Sequence, residues 1–122
     1  MSTPTIRATF NLDENGKPEL IQDGEFKHYR ISLQLENPPQ DTYAVTYLLH
    51  ETYYDPVRES RDRKSGFAEE LTSYGDYTIQ AKVRTRDSVE TLAIPLSTAL
   101  ERAYAGNRTP QIEAALRDIR EN

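Results

Sequence analysis

The chain has 122 residues, of which 36 % are hydrophobic and 29 % charged, a composition typical of one globular domain. No segment has the roughly 18 to 20 consecutive apolar residues that a membrane-spanning helix requires, and the start of the chain lacks a signal-peptide pattern, so we expect a cytoplasmic protein. A formal net charge of -5 argues against nucleic acid as a partner. The absence of cysteine excludes disulfides, a thiol nucleophile and cysteine-based metal centres.

Alternating apolar and polar residues predict β-strands in the first three-quarters of the chain. The alternation is clearest at residues 29–35 and 77–83, and an aromatic and β-branched segment at 43–49 is typical of a central strand. Weaker candidates are residues 6–12, 67–71 and 89–94. Turn-forming residues separate these segments, so we predict an all-β, immunoglobulin-like antiparallel β-sandwich over about residues 5–96. The expected core residues are Leu33, Leu35, Val45, Tyr47, Ile79 and Val83.

Helical spacing replaces the alternation in the last quarter of the chain. Ser97 is the predicted N-cap of a short helix that ends near Gly106. Thr109 is the predicted N-cap of a second helix, with Pro110 at its first position. The apolar stripe of this second helix consists of Ile112, Ala115, Leu116 and Ile119.

We expect one domain over residues 1–122, in which one or two short helices form a C-terminal extension over about residues 97–122. The apolar stripe of the second helix requires a partner that buries it. The sequence leaves two partners open, the sandwich of the same chain and a second chain. The first completes the domain, and the second makes the helix an assembly surface.

Mixed charges fill the middle of the chain. The segment RESRDRK at 58–64 combines both signs, and Lys82, Arg84 and Arg86 occupy every second position. On a strand, these three side chains share one face. We interpret the first segment as a solvated loop and the three basic residues as a solvated sheet face.

No motif in the sequence indicates an enzyme. Serine-hydrolase elbows, phosphate-binding glycine loops and His-Glu-x-x-His are absent. His50 and Glu51 are adjacent, so on a strand they face opposite sides and cannot hold one metal ion. Asp13 begins a segment similar to a calcium loop, but Gly24 stands where the twelfth-position carboxylate is required. We therefore expect a non-enzymatic protein without a metal or cofactor, and a hairpin turn at residues 13–16.

Aromatic residues near strand ends suggest a binding site. Tyr53 follows the predicted central strand, Tyr74 lies in a turn, and Phe26 precedes a strand. Loops from several strands meet at one pole of a sandwich, so these three rings can converge there. The alternative is that each ring covers the core or stabilises a turn.

Two segments resemble the YEATS domain, namely YAVTYLLHETYYDPVRE (43–59) and SYGDYTIQAKV (73–83). In YEATS domains a hydrophobic strand runs into Leu-His-x-Ser/Thr-aromatic and then a proline, and an aromatic turn leads into a later strand. The residues that match are Leu49, His50, Thr52, Tyr53, Pro56 and Tyr74. The resemblance covers about residues 5–96, is more similar to bacterial YEATS-like domains than to histone readers, and implies the same immunoglobulin-like sandwich.

The resemblance implies recognition of acylated lysine. In this family two aromatic rings sandwich the flat acyl amide and a hydroxyl bonds it, which by position assigns Tyr53 and Tyr74 to the sandwich and Thr52 to the hydroxyl. The other positions that the resemblance assigns are His50 on the wall, Phe26 at the rim, and Ser73, Tyr74 and Gly75 around the turn with their backbone donors. Stacking between rings contributes about 0.5 to 1.5 kcal/mol beyond burial.

Three positions depart from the pattern of eukaryotic YEATS domains. Ser73 replaces a glycine, Asp76 adds a carboxylate beside the pocket, and Tyr53 has a hydroxyl where readers often have phenylalanine. The expected partner is an acylated-lysine peptide or another protein segment, including one from an effector protein. The alternative hypothesis is an assembly module that acts through a sheet edge or self-associates through the C-terminal helix.

Overall fold

The chain forms, in a computed structural model, two antiparallel β-sheets whose inner faces share one core, followed by two helices. The structure describes residues 3–23, 26–50, 53, 55–106 and 108–121, without the side chains of residues 22, 23 and 26. The elements are β1 (Thr5–Phe10), β2 (Leu20–Asp23), β3 (Phe26–Glu36), β4 (Ala44–Leu48), β5 (Val57–Ser60), a 3-10 helix (Arg63–Ser65), β6 (Glu69–Ser73), β7 (Thr78–Arg84), β8 (Val89–Pro95), α1 (Leu96–Ala103) and α2 (Pro110–Glu121).

The first sheet is built around β3. Strands β1 and β2 pair with successive parts of one edge of β3, and β6 pairs with the other edge. Tyr29 shows this arrangement, because it is opposite Leu20 of β2 and Ser73 of β6. The predicted turn at 13–16 lies between β1 and β2, where the Gly16 amide donates to the Asp13 carbonyl at 3.0 Å and Gly16 has a φ of 78°.

The second sheet has the strand order β5-β4-β7-β8, so β4 is an interior strand as predicted. The prediction of a solvated loop over 58–64 is wrong for β5, which pairs with β4 and buries Ser60 opposite Val45. This strand is polar and four residues long, so its sequence pattern is weak and its pairing with β4 defines it. Lys82 and Arg84 lie on β7, whereas Arg86 lies beyond its end.

The core lies between the two sheets. The six predicted core residues are all buried: Leu33, Leu35, Val45, Tyr47, Ile79 and Val83. Phe67 is also fully buried, but the prediction that a strand begins there is wrong, because Phe67 has a φ of 55° and β6 begins two residues later. The Tyr47 hydroxyl donates to the Phe67 carbonyl at 2.8 Å, and the Arg63 guanidinium lies 5.5 Å from the Phe67 ring centroid.

Helix α1 begins one residue before the predicted cap, so the assignment of Ser97 as N-cap is wrong. Pro95 occupies the cap position without a side-chain hydrogen bond. The Asp76 carboxylate takes the capping role from a distant turn, since it accepts from the Ser97 amide at 2.9 Å and from the Ser97 hydroxyl at 2.7 Å.

Helix α2 begins as the sequence predicts. The Thr109 hydroxyl accepts from the Ile112 amide at 3.2 Å, and Pro110 is the first helical residue. The stripe of α2 belongs to the core shared by both sheets, so it packs on the sandwich of its own chain. The Tyr29 hydroxyl donates to the Asp118 carboxylate at 2.5 Å, and this hydrogen bond connects β3 to α2. Within the described residues, neither helix is long and apolar enough to cross a membrane.

We expect Ile119→Ala to destabilise the protein strongly. The Ile119 side chain is fully buried, and truncation of such a residue costs about 2 to 5 kcal/mol through lost burial and the cavity that remains. Urea unfolding measures the change. The matched control is Arg117→Ala on the exposed side of the same helix, for which we expect a change within about 0.5 kcal/mol. Equal effects of the two substitutions would contradict the packing of α2 on the sandwich.

Candidate ligand-binding site

A cavity of about 620 Å³ opens at one pole of the sandwich. In the antiparallel sheets, β4 and β6 end at the pole where β3, β5 and β7 begin, so residues distant in sequence meet there. The described residues that line the cavity are His28, His50, Tyr53, Arg58, Thr72, Ser73, Tyr74, Gly75, Asp76 and Tyr77. No group of three metal-binding side chains occurs among the described residues.

Tyr53 is fixed in the wall by its hydroxyl. This hydroxyl donates to the Thr72 carbonyl at 2.7 Å and accepts from the Tyr77 hydroxyl at 3.2 Å. The rings of Tyr53 and Tyr77 are 5.7 Å apart and tilted by 52°. Tyr53 is half-buried against the core. The hydroxyl that distinguishes Tyr53 from phenylalanine therefore anchors the ring to β6.

Tyr74 lies at the tip of the turn between β6 and β7 and is 45 % exposed. Its ring meets His28 edge-on, with the centroids 5.2 Å apart and the planes at 63°. The Ser73 hydroxyl braces the turn from within, because it donates to the Gly75 carbonyl at 2.8 Å and accepts from the Gly75 amide at 3.3 Å. The serine that replaces glycine thus shapes the turn that presents Tyr74.

Helix α1 holds the other side of this turn. The Asp76 carboxylate accepts both hydrogen bonds of Ser97, and the Leu96 amide donates to the Tyr77 carbonyl at 2.8 Å. Asp76, which also departs from the YEATS pattern, therefore connects the cavity wall to the C-terminal extension.

Tyr77 contributes a partly buried hydroxyl to the cavity. Its ring lies 5.7 Å from Tyr53 and meets His50 edge-on at 5.9 Å. Burial, followed by the hydrogen bond to Tyr53, raises the pKa of Tyr77 far above the ordinary value of a tyrosine, and the positive charge of Arg58 opposes this rise. The Tyr77 hydroxyl donates to the Tyr53 hydroxyl, and its burial disfavours ionisation at alkaline pH.

Arg58 joins the two sheets beside the cavity. Its Nε–H donates to the Asp55 carbonyl at 3.0 Å, and Nη1 donates to the Glu70 carbonyl on β6. The guanidinium carbon lies 6.0 Å from the centroid of the Tyr53 ring. Arg58 belongs to the mixed-charge segment 58–64, which the sequence predicts as a solvated loop, and it supplies a cation to the cavity wall.

The structure brings five of the seven predicted positions to the cavity: His50, Tyr53, Ser73, Tyr74 and Gly75. Thr52 and the side chain of Phe26 are outside the described residues. Among the described residues, Tyr77 is a ring neighbour of Tyr53, and His28 is a ring neighbour of Tyr74. Tyr53 and Tyr74 line the same cavity, so these two loop aromatics do more than cover the core.

Sequence reasoning missed His28, Arg58, Thr72 and Tyr77. A signal existed for His28, since it is two residues after Phe26, next to a predicted strand, and an extended chain places such positions on one face. Tyr77 was assigned to the core alternation, and in the structure it both packs against the core and lines the cavity. Arg58 carried no signal, because its position depends on the pairing of β5.

The family model of the prokaryotic YEATS domain matches residues 29–96, more than half of the chain. The chain belongs to the prokaryotic YEATS domain family. The matched segment contains every described cavity residue except His28. A sequence search of curated proteins gave no match.

Solved YEATS structures share the fold of this YEATS domain. The Yaf9 YEATS domain recognizing an H3K122suc peptide is 20 % identical, with a TM-score of 0.53 over 77 % of this chain and 74 % of that chain. The Yaf9 YEATS domain bound to H3K27ac gives the same identity and TM-score over 77 % and 73 %. Yeast Yaf9, an AF-9 homolog, is 19 % identical with a TM-score of 0.54 over 96 % and 92 %. The predicted immunoglobulin-like sandwich is confirmed.

We expect the free energy of unfolding to decrease above pH 10. Burial raises the pKa of Tyr29, Tyr47 and Tyr77 above the ordinary value of 10.0 in the folded protein. Below pH 10 these hydroxyls are protonated in both states, so their contribution is fully present. At higher pH the unfolded chain ionises first, and stability decreases by roughly 1 kcal/mol per pH unit for each such tyrosine.

Urea unfolding between pH 8 and pH 11 measures this slope. In the Tyr77→Phe variant, we expect a smaller slope above pH 10, because one of the hydroxyls with a raised pKa is gone. The same slope in the variant and the parent protein would show that the Tyr77 hydroxyl is not shielded from ionisation.

Proposed function

We propose that this YEATS domain is a non-enzymatic recognition module that binds an acylated lysine, or a similar planar group, in the cavity at the pole of the sandwich. One observation carries the proposal. Tyr74 keeps a large ring 45 % exposed in a cavity whose turn is braced by Ser73 and by α1. An exposed ring held by a rigid turn is available to a ligand without a cost in core packing.

The chemistry of an acylated lysine fits this lining. Acylation removes the positive charge of the side chain and leaves a planar amide that stacks on aromatic rings. A buried amide also requires hydrogen-bond partners, since an unmet one costs about 1 to 3 kcal/mol. The hydroxyl oxygens of Tyr53 and Tyr77 each retain acceptor capacity for an amide N–H. Thr52 and Phe26 belong to this proposal through their sequence positions alone.

The neighbouring structures support a peptide as the partner. The Yaf9 YEATS domain is described as recognizing an H3K122suc peptide and as bound to H3K27ac. Both are acylated lysines in a histone H3 sequence. For the present chain, we propose the acylated side chain as the recognised group and leave the flanking sequence undefined.

The assembly alternative has less support from the contacts of this chain. The apolar stripe of α2 is buried in the chain's own core, so it offers no apolar face for self-association. Carbonyl groups of β6 accept side-chain hydrogen bonds from Tyr53 and Arg58, which occupy this strand edge.

We expect Tyr74→Ala to remove most of the binding to a peptide with one acetylated or crotonylated lysine, since the ring supplies the exposed stacking surface. Isothermal titration calorimetry measures binding, and thermal unfolding verifies that stability changes little. The matched control is Tyr43→Ala, because Tyr43 is 49 % exposed and is outside the cavity. Its binding should equal that of the parent protein. No binding by the parent protein, or equal losses in both variants, would contradict the proposed function.

A further inference from the structure

Strand β8 is an edge strand with a row of backbone groups that face away from its neighbour. In the part of the chain that the structure describes, β8 pairs with β7 alone. At the two ends of this ladder the Thr85 amide donates to the Ser88 carbonyl at 2.9 Å, and the Leu96 amide donates to the Tyr77 carbonyl at 2.8 Å. Hydrogen-bonded pairs alternate along an antiparallel ladder, so the even-numbered residues of β8 bond to β7. The N–H and C=O groups of its odd-numbered residues therefore point to the free edge, namely those of Val89, Thr91 and Ala93.

The side chains at this edge are accessible and uncharged. Val89 is 52 % exposed, and Thr91 and Ala93 are exposed beside it on the outer face of the sheet. Leu92 packs against the core from the opposite face. The single charged residue of β8 is Glu90, which alternates with the outer-face residues and so lies on the other side of the strand.

Other strand edges of the sandwich are covered, short or charged. Helix α1 packs on β1, and the Phe10 amide donates to the Tyr104 hydroxyl. On β6, backbone carbonyls accept hydrogen bonds from Tyr53 and Arg58. Strand β5 has four residues, two of which are charged. Proteins use such devices to keep edges from pairing with other chains. Strand β8 has seven residues, and no described residue bonds to its free edge.

We propose that β8 pairs antiparallel with β8 of a second copy of this chain, with Thr91 on the twofold axis. This register places Val89 opposite Ala93 of the partner subunit, and Thr91 opposite Thr91 of the partner subunit. Each of these pairs exchanges two backbone hydrogen bonds, so every N–H and C=O group that the three residues turn to the edge is satisfied. The interface is isologous, as a twofold axis requires.

The side chains of β8 are complementary to themselves in this register. The small Ala93 adjoins the β-branched Val89 and covers part of its exposed surface, and a cross-strand pair of threonines is favourable. Glu90 faces Leu92 of the partner subunit. A register centred on Glu90 instead places two carboxylates directly opposite each other, which is destabilising. A single strand pair is a small interface, so we expect a weak dimer that forms as the protein concentration rises.

The dimer arranges the two cavities in a defined way. Pro95 at the end of β8 is opposite Thr78 at the start of β7, so β8 ends at the pole where the cavity opens. Antiparallel pairing therefore places the two cavities at opposite ends of one continuous eight-stranded sheet, made of four strands from each copy. The inference concerns a surface outside the cavity and does not depend on the proposed function.

Sedimentation velocity of the full chain at micromolar to millimolar concentrations tests the association. We expect the weight-average mass to rise from that of a monomer towards that of a dimer. Amide hydrogen exchange locates the interface: the amides of Val89, Thr91 and Ala93 should exchange more slowly as the concentration rises. The Leu92 amide bonds to β7 and should be protected throughout. A monomer at all concentrations would overturn the proposal and leave this edge to an extended segment of another protein. A dimer without added protection at the three amides would also overturn it.

Substitutions at the axis separate edge pairing from other contacts. Thr91→Lys places two ammonium groups opposite each other, and we expect the Kd of the dimer to rise at least about tenfold. The matched control is Gln80→Lys, which adds the same charge to an exposed position of the interior strand β7 and should keep the Kd of the parent protein. Equal Kd values for Thr91→Lys and the parent protein, or equal increases in both variants, would contradict the proposed register.

A proline at the same position removes the edge donor without adding charge. The Thr91 amide does not bond to β7, so Thr91→Pro should preserve the ladder between β7 and β8, which thermal unfolding verifies. We expect this folded variant to dimerise more weakly than the parent protein in sedimentation. Unchanged dimerisation of the folded variant would show that the edge of β8 is not the interface.

Discussion

In the part of the chain that the structure describes, two side-chain hydrogen bonds join the sheets at the pole where the cavity lies. Tyr53, which follows β4, donates to the Thr72 carbonyl, and Arg58 of β5 donates to the Glu70 carbonyl. Thr72 and Glu70 are two residues apart on β6, so their carbonyls lie on the same strand edge. The two donors satisfy backbone groups that an edge strand leaves unpaired and hold one sheet against the other. The cavity between the sheets depends on this connection.

The C-terminal helical extension also supports the wall of the cavity. Asp76 lies in the turn that presents Tyr74, and its carboxylate caps the first turn of α1 through Ser97. Helix α1 packs on β1, and the Tyr104 hydroxyl that follows it accepts from the Phe10 amide at 3.0 Å. A chain of ordered contacts thus runs from the sandwich through α1 to the binding turn. The residues that depart from the YEATS pattern make hydrogen bonds that hold the cavity wall and its turn in place.

The sequence predicts the parts of this fold that have a strong local pattern. Alternation of buried and exposed residues defines β3 and β7, aromatic and β-branched residues define β4, and the cap and stripe define α2. The strands β2 and β5 are four residues long, and their pairing partners rather than their own side chains define them. The start of α1 depends on Asp76, which is 21 residues away from Ser97. Arg58 enters the cavity wall only because β5 pairs with β4, so no local pattern could indicate it.

The central claim is that an acylated lysine enters the cavity at the pole and contacts Tyr74. The most direct measurement uses an acetyl-lysine peptide with a ¹³C-labelled acetyl methyl group and records intermolecular nuclear Overhauser effects to the protein. The account predicts effects from this methyl group to ring protons of Tyr74 and of the adjoining Tyr53 and Tyr77. Effects confined to residues outside the cavity, such as Tyr43 at the opposite end of β4, would contradict it.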